Sequence, residues 1–242
     1  MDSMELLPGY EAAGLTLYVP EHEALAFADT HLGFEEALNR QGVLVPHFQY
    51  RDVVEHVKSA LDKCRPAKVI INGDLKHEFG AISGQEWREV LRFLDLLGDY
   101  DVRLVKGNHD TILGPIAGRK GVEVVGELKL GTTLFTHGHR IPDDDALDGV
   151  KTIVIGHEHP CVGLREEGRV EKVKCFLVGK WEGRDIIVLP SLNFVTEGVD
   201  VLQERLLSPF LQGDISGYKA YGVEEGEILE FGELNHVTDR LL

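Results

Sequence analysis

The stretch that decides the fold is Lys68-Val-Ile-Ile-Asn-Gly-Asp-Leu-Lys-His77. Its first part, Lys68–Ile71, is a short apolar run typical of a buried β-strand, and Gly73-Asp74 stands where that strand should end. Apolar residues recur at helical spacing before the stretch, over residues 53–64, and after it, over residues 87–97. A helix on each side of a buried strand predicts an α/β fold with parallel strands.

The second helix has a clear beginning. Ser83 and Glu86 have the spacing of a capping box, and Ile82 with Trp87 would form the hydrophobic staple beside it. A further apolar run at Val102–Val105 predicts the next strand. In open α/β sheets, ligands bind beyond the carboxyl ends of the strands, so the residues that follow each strand are candidates for a site.

Polar residues that can bind metal follow five of the predicted strands. They form the clusters Asp29-Thr-His31, Gly73-Asp74, Gly107-Asn108-His109-Asp110, His137-Gly-His139 and Gly156-His157-Glu-His159. Two ligands spaced two residues apart, as in the first and last clusters, share one face of an extended segment. One such cluster alone is as readily a set of surface or core histidines, but five at five strand ends predict one shared site.

The residue types indicate the chemistry of that site. Two divalent cations ~3.5–4 Å apart can act on a phosphoryl group, and they need oxygen and imidazole ligands with one shared carboxylate. The chain offers Asp29, His31, Asp74, Asn108, His137, His157 and His159. Asp74 is the natural bridge, because a carboxylate can give one oxygen to each cation.

With these motifs, from Leu25 to Pro160, the chain resembles the calcineurin-like metallophosphoesterases. The resemblance implies an α/β fold, a four-layer α/β/β/α sandwich of two mixed sheets flanked by helices. Short β-like segments after Gly121, beginning with Val122–Val125, suggest the second sheet. The family pattern assigns one metal to Asp29, His31, Asp74 and His159, and the other to Asp74, Asn108, His137 and His157. It makes His109 the catalytic histidine that stabilises or protonates the leaving oxygen.

His77 lies three residues after the bridging aspartate. Protein Ser/Thr phosphatases carry an aspartate at that place and the SbcD-like nucleases a histidine. His77 therefore makes the chain look nuclease-like. With His137-Gly-His139 and the stretch from Gly179 to Gly198, it looks similar to the archaeal SbcD-related and bacterial ligase-associated phosphoesterases, small enzymes implicated in DNA repair. The resemblance implies that His77 is a second catalytic or phosphate-contacting residue, whereas the alternative is a histidine that merely closes a loop. The chain is too short for the DNA-capping domain of the larger nucleases.

The net charge of −16 opposes binding to a polyanionic duplex. Lys76, Lys106 and Arg140 lie beside ligand clusters, and two divalent cations would add about +4 in the cleft. These local charges favour a grip on one or two phosphates of a flexible strand. The expected substrate is therefore single-stranded or flapped DNA. A helicase or a ligase is a possible partner protein, and the chain could form a homodimer.

At 242 residues and 43% hydrophobic content, the chain is expected to form a single metallophosphoesterase domain over residues 1–242. The sequence shows no apolar run of about 18 residues and no export signal, so a cytoplasmic location without membrane contact is expected. The expected cofactors are two divalent metal ions. The resemblance favours manganese, and zinc, iron, nickel and magnesium are the alternatives.

Three functions remain open at this point. The leading hypothesis is a two-metal endonuclease that hydrolyses phosphodiester bonds of single-stranded or flapped DNA in DNA repair. The alternative is a small-molecule (cyclic) nucleotide phosphodiesterase or phosphatase. The third is a non-catalytic interaction module with this fold. The intact ligand set and His109 argue against this third function, because convergent polar groups are costly to bury without metal.

Overall fold

The computed structural model describes residues 1–80, 82–166 and 169–240. Its first sheet has seven strands that lie side by side in chain order. They are β1 (Ser3–Leu7), β2 (Tyr10–Ala13), β3 (Thr16–Val19), β4 (Ala24–Phe27), β5 (Lys68–Asn72), β6 (Asp101–Val105) and β7 (Glu123–Val125). The pairs from β1 to β4 are antiparallel and those from β4 to β7 are parallel, so the last four strands end at the same edge.

Four helices accompany this sheet. They are α1 (Phe34–Arg40), α2 (Gln49–Cys64), α3 (Gly84–Leu96) and α4 (Gly114–Arg119). The predicted capping box of α3 is confirmed, because Ser83 Oγ accepts from Glu86 N at 3.0 Å and Glu86 Oε2 accepts from Ser83 N at 3.4 Å. On the apolar face of α3, the ring of Phe93 packs edge-on against Phe27 of β4, with 6.0 Å between centroids.

The second sheet has nine strands. They are β8 (Glu127–Leu130), β9 (Thr133–Thr136), β10 (Thr152–Ile155), β11 (Pro160–Glu166), β12 (Arg169–Trp181), β13 (Arg184–Val188), β14 (Val199–Asp200), β15 (Lys219–Glu224) and β16 (Glu227–Glu233). The order is β14-β11-β12-β13-β10-β9-β8, and β15 pairs with both β12 and β16. β10 runs parallel to β9 and to β13, whereas β12 is antiparallel to its neighbours, so the sheet is mixed.

Alternation along the second sheet creates two cores. Phe135 and Val154 face the core that is shared with the first sheet. Their neighbours Leu134 and Ile153 face a second core on the other side, which is covered by the short helices α5 (Asp144–Leu147) and α6 (Leu234–Arg240). The result is the expected four-layer sandwich of two mixed sheets between helices. Within the described ranges, no helix is both long enough and apolar enough to cross a bilayer.

Two parts of the fold differ from the sequence-based expectation. Val122–Val125 was expected to begin the second sheet, but β7 pairs in parallel with β6 in the first sheet, because α4 supplies one more strand-to-strand crossover. The β1–β2 hairpin was not predicted at all. Its strands have only five and four residues and lack a clean apolar alternation.

Candidate metal centre

The loops that carry the predicted ligands meet at one edge of the sandwich. Three of them follow β4, β5 and β6 of the first sheet, and two follow β9 and β10 of the second. Backbone hydrogen bonds join the first two loops, because Asp29 N donates to Gly73 O and His31 N donates to Asp74 O, both at 3.0 Å. Parallel pairing therefore brings together residues that lie far apart in the sequence.

The backbone of these loops is strained. Among the described residues, nine non-glycine residues have positive φ, and five of the nine are predicted ligands. They are Asp29 (58°), His31 (43°), Asp74 (49°), His157 (70°) and His159 (51°). Such conformations cost ~1–3 kcal/mol each and persist only where the surrounding structure holds them. The strain is concentrated where the ligand side chains converge, as is typical of a functional site.

Two glycines allow the close approach of the ligands. A Cβ at Gly107 would overlap the carboxylate of Asp74, and a Cβ at Gly73 would overlap the imidazole of His137. Gly73 also has a φ of 94°. A side chain at either position would displace a predicted ligand, which explains why glycine precedes the polar residues in these clusters.

Asp29, His31 and His159 form the first group of candidate ligands. The Nε2 atoms of His31 and His159 lie 3.2 Å apart, and His159 Nε2 lies 3.4 Å from Asp29 Oδ1. The other oxygen of Asp29 accepts the backbone N–H of His157 at 2.9 Å. Asp29 Oδ1 accepts no hydrogen bond from the described part of the chain, although it is buried. A buried carboxylate oxygen without a donor suits a cation ligand.

Asp74, His137 and His157 form the second group, and Asn108 adjoins it. His137 Nε2 lies 3.2 Å from Asp74 Oδ2 and 3.1 Å from Asn108 Oδ1. On its other side, His137 Nδ1 donates to the carbonyl of Asn72 at 3.0 Å, which fixes the orientation of the ring. The structure thus brings all seven predicted ligands to one place.

Charges in the centre are strongly perturbed. Burial alone would raise the pKa of Asp29 and of Asp74, but neighbouring imidazoles outweigh it and hold both pKa values below the usual range. Burial would lower the pKa of His137, yet the hydrogen bond to Asp74 and the charge of Asp29 raise it to about 9. Burial lowers the pKa of His31 to about 3 and that of His157 to about 4. These two imidazoles are therefore neutral at pH 7 and able to bind a cation.

The two groups fit a pair of divalent cations. In each group the candidate ligand atoms lie within 4.8 Å of one another, and they are carboxylate oxygens and imidazole nitrogens. Asp74 lies between the groups, with its Oδ2 3.2 Å from His137 Nε2 and 3.9 Å from His31 Nε2. That is where a bridging carboxylate would stand. The clusters are consistent with a binuclear site, and several first-row metals suit this donor set.

Both predicted catalytic histidines border the centre. The backbone N–H of His109 donates to Asp74 Oδ1 at 2.8 Å, its Nδ1 contacts the carbonyl of His77, and its Nε2 lies 3.9 Å from Asp74 Oδ2. The rings of His77 and His31 are 5.5 Å apart between centroids. Burial and the neighbouring His109 lower the pKa of His77 to about 4, so this ring is neutral at pH 7.

The side chain of Lys76 is buried and is not available to a substrate, in contrast to the sequence-based expectation. It was expected to offer a positive charge to an incoming phosphate, but its side chain is fully buried. Its ammonium donates to the backbone carbonyls of His109, at 2.6 Å, and Glu78. The buried carboxylate of Glu86 accepts the backbone N–H groups of His77 and Glu78, both at 2.9 Å. Lys76 and Glu86 therefore hold the two histidine loops rather than the substrate.

Asp110 also has a structural role that sequence analysis did not assign. Its Oδ2 accepts the backbone N–H of Asp74 at 2.8 Å and of Gly107 at 3.0 Å. Burial, helped by the charge of Asp74, raises the pKa of Asp110 to about 6. The only signal in the sequence was its position as the last residue of the third polar cluster.

A second unassigned residue, Glu158, stands between the last two ligands. It is fully buried and accepts the backbone N–H groups of Leu207, at 2.9 Å, and Ser208, at 2.7 Å. Ser208 Oγ in turn donates to the carbonyl of Gly138 at 2.7 Å. These hydrogen bonds hold the loop that carries Leu207 and Ser208 against the segment that carries the ligands His157 and His159. No local pattern could indicate them, because Leu207 lies 49 residues further along the chain.

Two cavities open on the centre and meet at Asn108. The first, which we call the metal cleft, has a volume of about 330 Å³ and is lined by three of the four ligand histidines (His31, His157 and His159) and by His77, His109 and Phe34, among others. The second, which we call the basic side cavity, has about 350 Å³ and is lined by Lys106 and Arg140, among others. Both basic residues thus border the site as expected, although Arg140 also donates to Glu127 at 3.0 Å.

The geometry is consistent with a binuclear metal site, and comparison with known families identifies the class of enzyme. The family model described as calcineurin-like phosphoesterase matches residues 23–193, so the chain belongs to this family. The chain is therefore an enzyme of the metallophosphoesterase class. No curated protein matches the sequence significantly.

Two solved structures of known proteins are similar to the chain. The crystal structure of the nuclease MPE from Pseudomonas putida is similar with a TM-score of 0.70 and 19% identity, over 95% of this chain and 98% of that one. The phosphoesterase Yfce from E. coli matches with a TM-score of 0.40 and 13% identity, over 85% and 96% of the two chains. At such identity, the likeness to the nuclease shows the shared fold.

Proposed function

We propose that this chain is a two-metal phosphodiesterase that cuts single-stranded or flapped DNA internally, related to the SbcD-related and ligase-associated DNA-repair phosphoesterases. The observation that carries the proposal is that the metal cleft and the basic side cavity meet at Asn108. A phosphodiester has a substituent on both sides of the phosphorus, so it needs space on both sides of the metals. A phosphomonoester needs space on one side only.

The proposed ligands follow the two groups described above. One cation would be held by Asp29, His31, Asp74 and His159, and the other by Asp74, Asn108, His137 and His157. When bound, the two cations would neutralise charge on the phosphate and lower the pKa of the attacking water. Manganese is the proposed metal, with zinc, iron, nickel and magnesium as alternatives.

His109 is proposed as the group that protonates the leaving oxygen. Its Nδ1 donates to the carbonyl of His77, which directs Nε2 to the side of Asp74. The proton for the leaving oxygen is therefore the second proton of the imidazolium form of His109, carried on Nε2. An alkoxide leaving group needs a proton, and a positioned acid contributes a factor of ~10²–10⁴. His77, whose ring centroid is 5.6 Å from that of His109, is proposed to contact the phosphate.

The charge distribution supports a flexible strand as the substrate. The net charge of −16 offers little to hold a stiff duplex, whose affinity depends on many phosphate contacts. Lys106 and Arg140 can contact one phosphate beside the scissile one, because they line the cavity that adjoins Asn108. A single strand or flap can bend one phosphate onto the metals, whereas a helix would need melting, for which a helicase or ligase partner is proposed.

One observation favours a second candidate function. The metal cleft, at about 330 Å³, is large enough for a mononucleotide. A (cyclic) nucleotide phosphodiesterase or phosphatase would use the same metals and His109, and it would not need the basic side cavity.

The test compares kcat/KM on several substrates. The protein is first stripped of metal by a chelator and then reloaded with a single kind of metal ion. Single-stranded and flapped oligonucleotides should be cut internally, blunt duplex of the same sequence should survive, and excess chelator should abolish activity. Asp74→Asn, prepared in parallel, controls for contaminating nucleases. Faster turnover of cyclic nucleotides or monoesters than of any oligonucleotide would favour the second candidate.

A further inference from the structure

A row of four aromatic rings lines one side of the candidate metal centre. The ring of Phe34 stacks on His77, with 3.9 Å between centroids and 19° between planes. His77 and His109 follow at 5.6 Å and 34°, and His109 and Phe79 at 3.7 Å and 34°. The two proposed catalytic histidines therefore lie between two phenylalanines.

Phe79 is the exposed end of this row. Its side chain is 58% exposed, whereas Phe34 at the other end is partly buried and lines the metal cleft. A single exposed apolar residue needs no explanation elsewhere on a surface. Here, however, one side of the ring packs on His109, and the exposed part extends the row away from the proposed proton donor.

The loop that carries Phe79 is anchored on both sides. Before it, the backbone N–H of Glu78 donates to Glu86 Oε1 at 2.9 Å, and the ammonium of Lys76 donates to the carbonyl of Glu78. After it, the N–H of Gly80 donates to Thr111 Oγ1 at 3.3 Å. Thr111 also lines the basic side cavity. An aromatic side chain on an anchored loop loses little entropy when a ligand stacks on it.

We propose that Phe79 is a platform on which the nucleobase on the leaving-group side of the scissile phosphate stacks. The inference rests on the proposed function, because it needs a nucleic-acid substrate and the assignment of His109 to the leaving oxygen. Bases of every kind have a flat face that stacks on aromatic side chains. The platform therefore selects for a base without selecting its identity, and it distinguishes a DNA strand from a simple phosphodiester.

The test uses short single strands in which one natural phosphodiester stands among uncharged methylphosphonate linkages. One strand has all its bases, one has an abasic tetrahydrofuran residue on the leaving-group side, and one has it on the other side. Mass spectrometry of the products shows which fragment keeps the phosphate and so identifies the leaving side. Removal of the leaving-side base should lower kcat/KM about tenfold or more, and removal of the other base should lower it much less.

The readout is the ratio of kcat/KM between the complete strand and the leaving-side abasic strand. Phe79→Leu should bring that ratio close to one, and Phe79→Trp should keep it high. Leu229→Ala, which removes a 47% exposed apolar side chain from β16, is the matched control and should keep the wild-type ratio.

Two results would overturn the inference alone. In one, the wild-type protein cuts the complete and the abasic strands equally well. In the other, Phe79→Leu lowers the turnover of both strands by the same factor, which would mean that Phe79 only supports the ring of His109. A wild-type protein that cuts neither these strands nor an ordinary single strand with all its phosphodiesters, but hydrolyses nucleotide monoesters, would overturn the proposed function together with the inference.

Discussion

The two halves of the candidate metal centre are built differently. In the Asp29 half (Asp29, His31, His159), every residue has positive φ, and Asp29 Oδ1 accepts no hydrogen bond among the described residues. In the Asp74 half (Asp74, Asn108, His137, His157), His137 pairs with Asp74 at 3.2 Å and donates to a backbone carbonyl. The Asp74 half thus compensates its own charge, whereas the Asp29 half leaves a carboxylate oxygen to be satisfied by a cation.

This difference has consequences for metal loading. A cation that enters the Asp29 half meets the neutral imidazole of His31, whose Nε2 lies 3.2 Å from that of His159, so it displaces no proton from His31. A cation that enters the Asp74 half must replace the proton that binds His137 to Asp74. We therefore expect the two halves to differ in the number of protons released when metal binds. Substitutions in one half at a time should show which residue binds both metals.

The largest effect is expected for Asp74→Asn, which removes an anionic oxygen from between the halves. Metal content after dialysis should fall from about two per chain to one or none, and turnover should fall about 10³-fold or more, since each cation contributes several kcal/mol. Asp29→Asn is the comparison and should remove metal from its own half only. Two tightly bound metals in Asp74→Asn, found by elemental analysis, would show that Asp74 is not the bridge.

The sequence indicated much of this centre, for a physical reason. Each polar cluster follows an apolar run, and parallel strands end at one edge, so local patterns are enough to bring the ligands together. The anchoring contacts could not be predicted in this way. Lys76 looked like a charge for the phosphate, but its burial depends on the carbonyls of His109 and Glu78. The clamp from Glu158 to Ser208 likewise depends on how distant loops meet.

His109 belongs to neither half, and His109→Ala should separate catalysis from metal binding. Both metals should remain, while turnover of a substrate with a poor leaving group should fall by ~10²–10⁴. With p-nitrophenolate as the leaving group the loss should be much smaller, because that oxygen needs no proton. Equal losses on bis-p-nitrophenyl phosphate and on an oligonucleotide would indicate a positioning or metal-holding role for His109 instead.

Lys76 supports the loop that follows Asp74, so Lys76→Met tests how far the Asp74 half depends on its anchor. Loss of the buried ammonium leaves two carbonyls without this donor and removes a positive charge near the carboxylate of Glu86. Unfolding by denaturant should show a loss of about 3 kcal/mol. The control Lys58→Met, at an exposed position of α2, should change stability by less than about 0.5 kcal/mol. Equal stability of the two variants would contradict the anchoring role.

The smallest expected effect is the release of protons when metal binds, and it compares the two halves directly. The pKa of His137 is raised to about 9, because Asp74 and Asp29 outweigh its burial, so this imidazole is protonated at pH 7.5 in the metal-free protein. Its contribution to stability is present in full below the unfolded pKa of about 6.5 and is lost as the pH rises through 9. Over the same range, the affinity for metal should increase by about tenfold per pH unit, since one proton must leave.

In the Asp29 half, His31 should not contribute to this release. The pKa of His31 is lowered to about 3 by burial and by His159, so at pH 7.5 it has no proton to lose. Calorimetry of metal binding in two buffers with different ionisation enthalpies counts the protons released, of which His137 should supply about one in the wild type. His31→Gln should leave that number unchanged, and His137→Gln should lower it by about one. If the count were the same in both variants, the raised pKa would not belong to His137, and the two halves would not differ in the way that their hydrogen bonds indicate.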